Sequence, residues 1–95
     1  MPAYVIVQGA ITDPDQFDKY RTGSPATVAA AGGKYVVRTT ESVSLEGAAP
    51  PERTTVIEFA DREAVLAWYH GEAYTTLRAL RAGAADLRFY VVDGA

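Results

Sequence analysis

The sequence predicts an α+β domain in which a four-stranded antiparallel sheet carries its helices on one face, and three observations lead there. Runs rich in β-branched and aromatic residues open and close the chain and occur twice in its middle. Two stretches with helical spacing each begin at an Asp able to cap a helix. Turn chemistry built on Gly, Pro and Asp separates the runs. With 95 residues and 10.2 kDa the chain is one domain, residues 1–95, with no room for a second core.

Tyr4 to Ile11 is the first strand. It ends at Thr12-Asp13-Pro14-Asp15, where Thr12 or Asp13 caps a helix whose first turn accepts Pro14. Phe17 and Tyr20 share one face of that helix, and Gly23-Ser24-Pro25 predicts a kink or break before Ala26, Val28, Ala29 and Ala30 resume the pattern. Gly32-Gly33 supplies a left-handed stop. Lys34 to Thr39 is the second strand, expected to resume at Val43 to Glu46 after a polar irregularity at Thr39 to Ser42. The turn-forming Gly47-Ala48-Ala49-Pro50-Pro51-Glu52 leads into a third strand, Arg53 to Ala60. Asp61 caps a second helical region carrying Val65, Leu66, Trp68 and Tyr69, which Gly71 divides from a further run with Tyr74, Leu77 and Leu80. Leu87 to Val92 is the last strand.

The order βαββαβ is that of a ferredoxin-like split βαβ unit. A sheet covered on one side should alternate apolar and polar residues, yet Tyr4-Val5-Ile6-Val7, Tyr35-Val36-Val37, Val56-Ile57 and Phe89-Tyr90-Val91-Val92 put large apolar groups on both faces. A second copy, sheet against sheet, is the expected cover for the open face. By pleat parity Tyr4, Ile6 and Gln8 share a mixed face with Val36, Arg38, Val56, Glu58, Arg88 and Tyr90. Val5, Val7, Val37, Ile57, Phe89 and Val91 form a wholly apolar face that suits the helices. The mixed face should then border an inter-sheet space able to hold water or a ligand.

Nine Lys and Arg against twelve Asp and Glu leave a net charge of −3, which argues against nucleic-acid or membrane partners. Zero Cys and one His exclude a disulfide framework, a thiolate nucleophile, Cys-based metal centres and a multi-histidine cage, so no metal or cofactor is expected. The start Met1-Pro2-Ala3-Tyr4 passes straight into strand-like sequence without a leader pattern, and a cytoplasmic location is the expectation. Composition fixes no reaction.

Several stretches resemble the DUF1330 family: Ala31-Gly32-Gly33-Lys34-Tyr35-Val36-Val37-Arg38, Leu45-Glu46-Gly47, Val56-Ile57-Glu58-Phe59, and above all Ala67-Trp68-Tyr69-His70-Gly71-Glu72-Ala73-Tyr74 with Leu77-Arg78-Ala79-Leu80-Arg81. The resemblance covers nearly the whole chain. That family is similar to the dimeric α+β barrel proteins, which include antibiotic-biosynthesis monooxygenases and EthD-like and YCII-like proteins. It implies a ferredoxin-like protomer pairing into a dimeric α+β barrel, and it implies no single activity. Relatives often carry Asn or Asp and then Ser-Pro in the helix break, where this chain has His70-Gly71-Glu72-Ala73.

The candidate site residues are Arg38, Glu58, His70 and Tyr69. Arg38 and Glu58 each stand inside an apolar strand, where an unpaired charge is costly. They are expected to face each other across the hairpin as an ion pair, or to face a ligand, with Arg38 anchoring an anionic or carbonyl group and Glu58 orienting it. His70, beside Tyr69 at the helix break, is either a proton relay at a cavity mouth or a C-terminal residue interacting with the last carbonyls of its helix. Trp68, Tyr69 and Tyr74 are either an aromatic cage or core packing. Two functions follow: a cofactor-independent enzyme acting on a small organic molecule in a barrel cavity, or a non-catalytic small-molecule-binding or structural dimer module.

Overall fold

The computed structural model describes residues 1–95. The elements are β1 (Ala3–Ile11), α1 (Pro14–Ala30), β2 (Lys34–Thr39), β3 (Arg53–Phe59), α2 (Arg62–His70), α3 (Glu72–Leu80) and β4 (Ala85–Asp93). The four strands form one sheet in the order β2-β3-β1-β4, and every neighbouring pair is antiparallel. The expected βαββαβ order holds, with the second helical region divided at Gly71. No helix is long and apolar enough to cross a membrane.

Local chemistry accounts for the helix ends. Asp13 accepts the backbone N–H of Gln16 at 3.2 Å and Asp61 that of Ala64 at 2.8 Å, each satisfying a donor that the first helical turn leaves free. Gly32, at φ 81°, ends α1 in the left-handed region. The expected break at Gly23-Ser24-Pro25 does not occur, and α1 runs unbroken through Pro25. A proline inside a helix costs about 3 kcal/mol, which the packing of α1 offsets. Tyr20, Ser24 and Val28 are buried around it, and the bare Cα of Gly23 lets α3 approach so closely that a Cβ there would lie 2.8 Å from Leu77 Cδ2.

The core joins Val5, Val7, Ile57 and Phe59 of the sheet to Phe17, Tyr20 and Val28 of α1 and to Val65, Trp68 and Tyr74 of α2 and α3. The Trp68 and Tyr74 rings pack with centroids 4.2 Å apart, and both residues are buried. They are core, not an aromatic cage.

Strand β2 differs from expectation in two ways. Tyr35 pairs with Ile57 and Val37 with Val56, so Val36 is an extra residue and the irregularity falls there instead of at Thr39 to Ser42. Val43 to Glu46 does not resume the strand. Thr39 already lies opposite Thr54 at the start of β3, so the residues beyond it have no strand to pair with, and Val43 and Leu45 are exposed.

The opposite sheet face has no covering element. Register places Tyr4, Ile6, Val37, Val56, Tyr90 and Val92 there, and Val37, Tyr90 and Val92 each keep 41% of their surface exposed.

Gly9 joins β1 to β4 by close approach: its φ is 147°, and a Cβ on it would lie 2.0 Å from the carbonyl oxygen of Asp86. Gly9→Ala forces that backbone contact apart and puts an L-residue in a conformation it rarely adopts, a loss of about 1–3 kcal/mol. The urea midpoint of the variant is expected to fall accordingly, whereas Gly32→Ala, with open space around its Cα, carries only the strain of its positive φ.

Candidate functional site

Two concavities flank the inner sheet face. The first lies between α1 and the strands β2 and β3. Because α1 packs chiefly against α3 while α2 sits over β1, β3 and β4, the inner side of the edge strand β2 stays partly uncovered. The resulting cavity of about 60 Å³ is walled by apolar side chains including Val7, Ile57, Leu87 and Phe89, and by Arg21, Arg38 and Arg53. No carboxylate lines it.

Register explains the arginines. Thr55 lies opposite Val7 and Arg53 opposite Gly9, so both point to the helix side, and Arg38 pairs with Thr55 on that same side. Arg38 and Arg53 are therefore diagonal cross-strand neighbours. The guanidinium of Arg38 lies 4.5 Å from the Tyr35 ring centre, and those of Arg21 and Arg53 lie 5.4 and 5.9 Å from that of Phe17. Burial, and then the positive charges of Arg21 and Arg38, hold Arg53 below the usual arginine range.

Tyr20 also lines this cavity, and its hydroxyl is hydrogen-bonded within the core. It lies 2.5 Å from the Tyr74 hydroxyl and accepts from Ser24 Oγ at 3.3 Å. Burial, then the neighbouring Tyr20, push the Tyr74 hydroxyl well above the ordinary tyrosine value.

The second concavity is an apolar groove of about 240 Å³ between α2 and β4, where Tyr69 and His70 meet Val5, Val65 and Val91. The Tyr69 hydroxyl accepts from Arg78 Nη1 at 2.9 Å. His70 is the last residue of α2, exposed, with its ring edge-on to Tyr69 at 5.3 Å. Phe89 belongs to the walls of both concavities.

The four residues picked from the sequence thus fall in three places. Arg38 lies in the first cavity, Tyr69 and His70 in the second, and Glu58 on the open face opposite Tyr4 and Lys34. Arg38 and Glu58 do not face each other, because the extra residue at Val36 turns Arg38 to the helix side and Val37 to the open face, the reverse of their simple pleat parity. The Glu58 carboxylate instead raises the Tyr4 phenol above its ordinary value, chiefly by its charge. Sequence reasoning misses Arg53 and Arg21 as site residues, and it assigns Tyr20 to the core because Phe17 shares its helix face. A signal for Arg53 is present in the sequence, since it lies four residues before Ile57 and so shares its face.

A family model described as Domain of unknown function (DUF1330) matches residues 2–95. No curated protein matches. Among solved structures, a protein of unknown function from Rhodopseudomonas palustris superposes with a TM-score of 0.79 at 16% identity, covering 99% of this chain and 82% of its own. SnoaB, a cofactor-independent oxygenase from Streptomyces nogalater, gives a TM-score of 0.66 at 11% identity, covering 99% and 92%. A dimeric ferredoxin-like protein of unknown function from Thermobifida fusca gives 0.64 at 15%, also covering 99% and 92%. At these identities the likeness establishes the ferredoxin-like fold.

The Tyr20–Tyr74 pair makes a pH prediction. Unfolded, Tyr74 ionises near its reference value of 10.0; folded, it keeps its proton to higher pH. Above pH 10 the native state therefore binds more protons than the unfolded state, and stability falls as pH rises. Tyr74→Phe should make that alkaline fall shallower while costing about 1 kcal/mol at pH 7 through the lost bond to Tyr20. Urea midpoints measured at pH 7 and about pH 11 for both proteins check the sign.

Proposed function

The chain belongs to the DUF1330 family, and we propose that it is a homodimeric module binding a small organic molecule in the cavity between α1 and the sheet, with Arg38 as its polar anchor. The observation that carries this reading is a charged, exposed Arg38 in a cavity that has an apolar wall and no carboxylate to pair with it. A charge so placed recognises a polar group on a ligand whose remainder meets the apolar wall.

Pairing rests on the open face. Tyr4, Ile6, Val37, Val56, Tyr90 and Val92 form a patch of the kind that soluble chains cover, and a second copy meets it with the same patch about a two-fold axis. The dimeric neighbour from Thermobifida fusca supports this arrangement.

A catalytic reading has its own observation, Tyr20 in the wall of the same cavity with its hydroxyl hydrogen-bonded to Tyr74. In that reading Arg38 polarises an oxygen of the bound molecule and Tyr20 donates to it, a cofactor-independent scheme in keeping with a fold shared with SnoaB. Tyr69 and His70, across Phe89, then act at the neighbouring groove, and Glu58 acts at the inter-sheet face instead of beside Arg38.

Sedimentation equilibrium at micromolar concentration should give twice the 10.2 kDa chain mass, and Ile6→Lys should return it to one chain mass. A folded single-copy wild type removes the pairing. Thermal-shift screening of a metabolite library should give stabilising compounds whose effect disappears in Arg38→Ala while that variant stays dimeric. Hits unchanged by Arg38→Ala move binding away from this cavity.

A further inference from the structure

The structure assigns the cavity beneath α1 to an organic carboxylate, gripped by Arg38 and Arg53 together, an inference that rests on the small-molecule reading above and names its ligand class. The chain carries more acids than bases, yet four of its nine cationic side chains, Arg21, Arg38, Arg53 and Arg81, gather at or behind this cavity. Arg21 has one weak partner, Asp18 at 3.7 Å, both of them exposed. The guanidinium groups of Arg38 and Arg53 make no hydrogen bond or ion pair within the chain. Arg81 lies behind the lining, 5.1 Å from the Tyr20 ring centre and 4.7 Å from that of Phe89, with its Nε buried and unpartnered.

Like charges held together in one partly buried place raise the free energy of the empty protein. An anion in the cavity relieves that repulsion. The Arg38 guanidinium, 4.5 Å from the Tyr35 ring centre, and that of Arg53, 5.9 Å from the Phe17 ring centre, are drawn to these rings by cation–π attraction and keep N–H groups free to form paired hydrogen bonds.

The free edges are planar guanidinium forks, which match two oxygens of a carboxylate or of a phosphate. Two features favour carboxylate. The wall contributed by α1 runs from Phe17 to Pro25, so the helix N-terminus at Pro14 offers no backbone N–H groups there, and no lysine lines the cavity. Val7, Ile57, Leu87 and Phe89 provide an apolar wall for a hydrocarbon body, which free phosphate lacks. A cavity of about 60 Å³ holds the head group and its first carbons.

The test is titration of the full-length ¹⁵N-labelled protein, followed by backbone amide shifts, with benzoate, the neutral isostere benzamide and inorganic phosphate. Benzoate should shift Tyr35, Thr55 and Ser24 amides saturably, bind at least about tenfold more tightly than benzamide, and weaken as salt rises through about 0.15 M. Arg53→Gln should weaken benzoate at least about tenfold, and Arg53→Lys, which keeps the charge and the apolar stem but loses the fork, should fall between. A dispersed amide spectrum for either variant shows that it folds. Benzamide binding as tightly as benzoate overturns the carboxylate assignment and leaves the small-molecule reading in place. Phosphate binding more tightly than benzoate, full benzoate affinity in folded Arg53→Gln, or no shift with benzoate at all also overturns the assignment. The small-molecule reading itself fails separately, when the library screen yields no compound sensitive to Arg38→Ala.

Discussion

Side chains alternate between the faces of a strand, so one inserted residue reverses the facing of everything that follows it. In β2 that residue is Val36. Tyr35 keeps its place over the core beside Ile57, and after the insertion Val37 turns to the open face while Arg38 turns under α1. Two properties of the molecule follow from this single step. The open face gains Val37 and loses a charge, becoming more apolar in its centre, and the helix side gains a guanidinium diagonal to Arg53.

The uneven covering of the inner face does the rest. α2 lies across β1, β3 and β4, and its Val65 and Trp68 close the core with Phe59. α1 leans on α3, where Gly23 allows a close approach to Leu77, and so leaves the β2 corner open. A bulky residue at Gly23 would push α1 away from α3, altering the cavity from its far wall. The site is thus set by helix-to-helix packing as much as by the residues that line it, and its aromatic partners, Phe17 and Tyr35, come from the two elements that face each other across it.

Much of the fold was legible because its signals are local. Asp13, Pro14, Gly32, Asp61 and Gly71 act through the backbone within a turn of themselves, and each does in the structure what its chemistry requires. Pro25 predicts a break that does not occur, because its helix-breaking effect is local while the packing that tolerates it is not. The candidate site was legible in part. Arg38 is legible as a charge inside an apolar strand, but regular pleating puts it on one face with Glu58, and a bulge whose extra residue is an ordinary Val carries no sequence mark. Arg53 shares the parity of Ile57, but it begins its strand beside a polar loop, where the sequence alone does not separate a site residue from a solvated charge. Tyr69 and His70 are neighbours in sequence and in space, yet a wall containing Phe89 stands between their groove and the arginines.

Binding and catalysis make different demands on this cavity. Guanidinium groups held against rings bind a carboxylate equally before and during a reaction, which lowers the energy of the complex without lowering the barrier from it. Acceleration needs a group whose interaction grows as charge develops, and in the catalytic reading that group is the Tyr20 hydroxyl. Burial favours the protonated form of Tyr74, so it can donate to Tyr20 and leave the Tyr20 hydroxyl free to donate elsewhere. A tyrosine supported in this way stabilises a developing oxyanion, whereas proton abstraction would require the same pair to take on negative charge inside the core, which the raised Tyr74 hydroxyl opposes. The arrangement therefore suits electrophilic assistance to a bound acid, and any proton-abstracting step must draw on a base from outside the Tyr20–Tyr74 pair.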